Sequence, residues 1–114
     1  MQRSAWGYVM QMDPELDELR REFLAEAREK VEEIQAALNE GSDSASIERL
    51  TYLSHQLKGA GGSYGYERIS SEAAEIEKAA ERIAEGSARN VSASLQQHVL
   101  NLRSEIEKRS SELG

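Results

Sequence analysis

The chain has 114 residues, 39% of them hydrophobic and 31% charged, with no cysteine and a formal net charge of −7. That suffices for one domain with one modest core, and it is too apolar for a disordered chain. An acidic chain without a Lys/Arg-rich block is not expected to bind nucleic acid, and no apolar run is long enough to cross a bilayer.

The absence of cysteine removes disulfides, thiolate nucleophiles and zinc–thiolate sites, and it suits a reducing compartment. The Met1–Trp6 opening has an arginine but no long apolar stretch behind it, so it does not read as a secretory signal and a cytoplasmic protein is expected. Residues 1–12 stand apart as an extension, with Trp6, Tyr8, Val9, Met10 and Met12 as a compact apolar cluster. They read either as a short extra helix lying across the domain or as a tail.

From Asp13 the sequence predicts a first helix, with Asp13 as the capping side chain and Pro14, the single proline, at the first helical position. Leu16, Leu19, Phe23, Ala27, Val31, Ile34 and Leu38 follow at the three-and-four spacing of one buried stripe. Asn39-Glu40-Gly41 ends it, and Ser42-Asp43-Ser44 offers caps for a second helix carrying Ile47, Leu50, Leu53 and Leu57. A third segment has Ile69, Ala73, Ile76, Ala80 and Ile83 and stops near Gly86; a fourth, capped by Ser87 or Asn90, has Val91, Leu95, Val99, Leu102 and Ile106. No segment alternates as a strand does. Short connections between long amphipathic helices predict an all-α, antiparallel up-down four-helix bundle over residues 13–114.

On a helical wheel, Leu50, Leu53, Leu57, Ala60 and Tyr64 lie opposite His55, whereas Thr51, Gly59 and Gly62 fall within about 40° of it and Lys58 about 60° away. His55 is thus expected on the outward side. If the helix continues through the glycines, each costs roughly 1 kcal/mol relative to alanine. Close helix packing would account for Gly61; Gly59 and Gly62 face out, where a side-chain-free surface lets another macromolecule approach the imidazole. The alternative is a helix that stops at Lys58, with a flexible loop after it. A Walker-type phosphate loop fits poorly, because Lys58 precedes the glycines and the flanks are helical. His98, beside the core-facing Val99, has no motif around it and reads as structural or surface.

The run His55-Gln56-Leu57-Lys58-Gly59-Ala60-Gly61-Gly62-Ser63-Tyr64-Gly65 resembles the signature of histidine-phosphotransfer domains, in which a phosphorylatable histidine is followed by an apolar residue, Lys-Gly, small residues and a closing glycine. The resemblance extends back to Phe23-Leu24-Ala25-Glu26-Ala27 and forward through Ile69 to Ile83. Glu77 stands where the phosphotransfer domain of chemotaxis histidine kinases has a glutamate bonded to the active histidine. Ala74 stands where those domains often have a second histidine, a departure from that branch. Without the resemblance, Glu77 reads as a solvated surface carboxylate.

The resemblance implies a phosphocarrier of a two-component phosphorelay, not an enzyme, that exchanges a phosphoryl group between His55 and an aspartate of a response-regulator receiver domain, with a sensor histidine kinase as the other partner. It implies that Glu77 orients the imidazole and that Lys58 offsets phosphate charge. Thr51, Gly59, Gly62 and Tyr66 are the candidate docking positions, and Gly61 and Gly65 are structural. No metal or cofactor is implied in the chain itself; Mg²⁺ is expected on the partner. The competing expectation is a helical adaptor that docks a signalling partner without phosphotransfer.

Overall fold

A computed structural model describes residues 14–86 and 91–114 of the chain. Four helices account for nearly all of them: α1 (Pro14–Glu40), α2 (Ser44–Ser63), α3 (Glu67–Ala84) and α4 (Val91–Leu113). Each packs against the next in the chain and α4 returns against α1, so the four close around one core, and among the described residues there is no strand.

The cross-helix contacts fix the directions. Arg21 donates to the Leu113 carbonyl, Arg28 pairs with Glu107 and Arg103 with Glu32, so α1 and α4 run antiparallel. Glu33 pairs with Arg49 while Phe23 stacks on Tyr64, which reverses α2 relative to α1. Ser70 reaches Lys58 and Glu77 reaches His55, which reverses α3 relative to α2. The bundle is up-down, as the short connections predicted.

Its core is the set of stripes read from the sequence, with Ile34, Leu50, Ile69, Ile76, Leu95, Val99 and Leu102 fully buried. The stripe on α1 differs in detail. Leu24 and Ala37, outside the predicted stripe, are each 2% exposed, whereas inside it Leu16 and Leu38 are only partly buried and Leu19 is 47% exposed. The exposure of Leu19 is axial. Phe23 already meets Tyr64 and Tyr66 beyond the end of α2, so Leu19, one turn earlier, lies past that helix.

The helix boundaries follow their local chemistry. Pro14 opens α1, and Gly41, at φ +120°, terminates it. Asp43 takes the extended N-cap backbone before α2, and its carboxylate accepts the Ser46 hydroxyl at 2.7 Å, which holds that carboxyl below its usual pKa. The caps expected at Asp13 and at Ser87 or Asn90, and the extension at residues 1–12, lie outside the described residues.

Helix α2 does not stop at Lys58. It runs through the glycines to Ser63, where Gly65, at φ +82°, turns the chain so that the Tyr66 N–H returns to the Gly61 carbonyl at 2.8 Å. The three glycines inside it differ in kind. A Cβ on Gly61 would stand 3.1 Å from the Ser70 backbone nitrogen and 3.2 Å from Ile69 Cγ2, so α2 and α3 approach there more tightly than a side chain ordinarily allows. A Cβ on Gly59 would meet nothing within 4 Å, and one on Gly62 only the Ser70 hydroxyl at 3.7 Å.

This separates their mutational effects. Gly59→Ala and Gly62→Ala should each stabilise the bundle by about 1 kcal/mol through helix propensity. In Gly61→Ala that gain is opposed by about 1–3 kcal/mol of overpacking against the Ser70 backbone and Ile69, so it should be the least stable of the three variants. Urea unfolding of the three variants checks the order.

Candidate functional site: an exposed imidazole backed by a buried carboxylate

The outward face of α2 carries His55, whose side chain is 67% exposed. Its ring is nonetheless held. Nδ1 lies 2.7 Å from Glu77 Oε2, and Lys58 Nζ donates to the other oxygen, Oε1, at 2.8 Å. One carboxylate on α3 thus joins an imidazole and an ammonium on the same face of α2.

The Glu77 side chain is only 12% exposed, so it is not the solvated surface group that its residue type alone suggested. A nearly buried carboxylate is tolerable only when its oxygens are hydrogen-bonded to charged or polar donors. Here both are. The hydrogen bond from Lys58 holds the Glu77 carboxyl below its usual pKa; burial opposes this, and the His55 bond adds to the lowering. The group is therefore ionised near neutral pH and can only accept hydrogen bonds. It follows that Nδ1 carries the imidazole proton towards Oε2, and the lone pair of a neutral ring resides on Nε2. Lys58, expected to face incoming phosphate, is committed to Glu77 in this state.

The register that brings Glu77 to His55 has visible supports. Ser70, seven residues before Glu77 and so on the same face of α3, donates to the Lys58 carbonyl at 2.7 Å, next to the close contact at Gly61. Ser54, directly before His55, is buried and bonded back to Leu50, which leaves the core under the imidazole free of unsatisfied groups.

Among the expected docking positions, Gly59 and Gly62 are exposed beside His55. Thr51 is half-buried and its hydroxyl is already bonded to the Ile47 carbonyl. Tyr66 is displaced from that set. It is half-buried with its ring stacked 5.9 Å from Phe23, and burial raises its phenol pKa, so the aromatic packs the end of the bundle. Gly61 lies at the close approach of α2 to α3, and Gly65 turns the chain at positive φ. Tyr52, three residues before His55 on α2, was not among the expected docking positions; it is one of the most exposed large hydrophobic residues, at 61%. Ser70 gave no signal in the sequence beyond its spacing from Glu77.

His98 has a local partner, with Nδ1 2.9 Å from Glu72 Oε2 and Asn101 donating to the same carboxylate, a polar tie between α3 and α4. Its ring is only 25% exposed. Among the described residues, no group of three His, Asp or Glu side chains is arranged to hold a metal ion, and no helix is long and apolar enough to cross a membrane.

Fold and site together define a helical bundle that offers one oriented, solvent-facing imidazole. The family model of the Hpt domain matches residues 18–111, and the chain belongs to that family. Hpt domains are phosphocarrier modules that serve histidine phosphotransfer in phosphorelays, working with kinase and response-regulator partners. No curated protein and no solved structure gave a match.

The lowered Glu77 pKa makes a stability prediction with a definite sign. A carboxylate whose pKa is depressed on folding stabilises the fold above its unfolded value, 4.5 here, and that contribution is lost as pH falls through the folded value. In urea unfolding, wild type should exceed Glu77→Gln in stability at pH 7, and the gap should close progressively below pH 4.5. A gap that stays constant across that range would show that Glu77 is not held by charge.

Proposed function

We propose that His55 is the phosphoryl acceptor of this chain, taking the group from, or returning it to, an aspartate of a response-regulator receiver domain, with a sensor histidine kinase at the other end of the relay. The observation that carries this reading is an imidazole that is two-thirds exposed yet fixed at Nδ1 by an ionised, nearly buried carboxylate. A freely rotating surface histidine would serve no such purpose, and a structural one would be covered.

The chemistry follows from that tautomer. The Nε2 lone pair attacks phosphorus, a P–N bond forms, and the bond from phosphorus to the aspartyl oxygen breaks, with its electron pair leaving on the carboxylate. The Nδ1 proton stays where it is, and the positive charge that develops on the ring is stabilised by Glu77 alongside. The Lys58 ammonium, one carboxylate away from the ring, can turn to the phosphoryl oxygens once they arrive. Transfer demands in-line placement and charge neutralisation more than covalent chemistry from the protein. The metal belongs to the partner on this reading: Mg²⁺ sits beside the receiver's aspartate. The cysteine-free composition agrees with a cytoplasmic relay.

A charged receiver or kinase should label the wild-type chain. The label should be acid-labile and base-stable, and His55→Gln should abolish it. Labelling of His55→Gln at the wild-type level would end the proposal. Glu77→Gln, which keeps a hydrogen-bonding group but removes the charge, should slow phosphoryl uptake at least about tenfold, equivalent to about 1.4 kcal/mol of transition-state stabilisation.

A further inference from the structure

The surroundings of His55 are asymmetric. Lys58 and Glu77 lie on the flank facing α3. On the other flank, towards α1, Tyr52 projects one turn before His55 and is 61% exposed. Gln56 Nε2 donates to its hydroxyl at 2.7 Å, so the ring is restrained although nothing covers it. Beyond it lies Gly59, with no atom near its Cβ position. An exposed aromatic held in place beside bare backbone has no use within the monomer, where its apolar surface only faces water.

Charge sets this stretch of α2 apart. From Thr51 to Ser63 the only formally charged residue is Lys58, which Glu77 engages. Interface centres are depleted in charge and enriched in aromatics. On a chain of net charge −7, this stretch of α2 itself presents no carboxylate to an acidic phospho-aspartate site, and the nearest α1 charges, Glu26 and Lys30 beside Gln56, are of opposite sign.

Resting on the phosphocarrier reading, we infer that Tyr52 is the anchor by which this chain recognises its receiver domain, inserting its ring into an apolar, charge-poor patch beside the receiver's phosphorylated aspartate. Geometry requires it to lie within such an interface. Phosphorus can bridge the aspartate and His55 only if the two proteins touch around Nε2. Even a weak specific contact covers several hundred Å² per partner, and residues three apart on a helix are about 5–6 Å from one another. The α3 flank then supplies charge for the chemistry, and the α1 flank supplies recognition. Tyr52 is thus a specificity residue that need not touch the reacting atoms.

Two phosphoryl donors separate these roles. Phosphoramidate, a small donor, needs no docking surface; receiver domains from the source genome, charged with acetyl phosphate, do. With the receivers that wild type discharges, Tyr52→Ala should raise KM about tenfold and leave kcat within about twofold. Phosphoramidate labelling and the unfolding midpoint should be unchanged, and Tyr52→Phe, which keeps the ring but loses the Gln56 bond, should raise KM less than Tyr52→Ala. Leu100→Ala removes a comparably exposed side chain from α4, the helix diagonal to α2, and should change nothing.

The inference is overturned by a Tyr52→Ala KM within about twofold of wild type, by an equal loss in Leu100→Ala, or by a matching fall in phosphoramidate labelling. Wild type labelled by phosphoramidate but by no receiver would remove the receiver as occupant. Wild type labelled by neither would instead sink the phosphocarrier reading beneath it.

Discussion

A histidine that is to accept a group from another protein, as proposed for His55, faces two opposed requirements. It must be exposed to be reached, and it must be oriented to present the correct nitrogen. Exposure normally costs orientation, because a ring in water samples several rotamers and both tautomers. Here the conflict is settled from below by Glu77, which lies nearly buried between α2 and α3 and uses one oxygen for His55 Nδ1 and the other for Lys58 Nζ. The carboxylate can stay ionised in that position because Lys58 offsets its desolvation. Remove the ammonium and only the bond to His55 would remain to oppose the effect of burial on the carboxyl.

That arrangement tolerates little slippage between α2 and α3. The helices are held in register by the contact of Gly61 with the Ser70 backbone and by the bond from Ser70 to the Lys58 carbonyl, both within two turns of His55. Gly61 is therefore a packing residue. Gly59 and Gly62 are not: they weaken the helix without improving any contact inside the domain. On the proposed phosphocarrier reading, a small bundle that retains two such positions beside its one oriented surface imidazole sacrifices stability for access, a local inconsistency of the kind found at functional surfaces.

The rest of the bundle is conventional by comparison. Ion pairs such as Arg28–Glu107 and Arg103–Glu32 bridge α1 and α4 at exposed positions, where each contributes little. The His98–Glu72 pair resembles the His55–Glu77 pair in its atoms but not in its setting, since its ring is largely covered and tied to its neighbours. Exposure, and not the imidazole–carboxylate pairing itself, distinguishes the site.

Periodicity alone determined the four helices, the outward placement of His55 and most of the core, because a stripe of apolar residues at helical spacing must face inwards wherever the helix packs. The motif around His55 similarly carried the family resemblance. What the sequence could not decide was which helix ends overlap and how deeply a polar side chain sinks between helices. Leu19 lies past α2, and Tyr66 packs on Phe23, because of where neighbouring helices stop. Among the many glutamates of this chain, Glu77 becomes the buried partner of His55 through the α2–α3 register that Gly61 and Ser70 set. These are contacts between residues far apart in sequence, and only the packed structure fixes them.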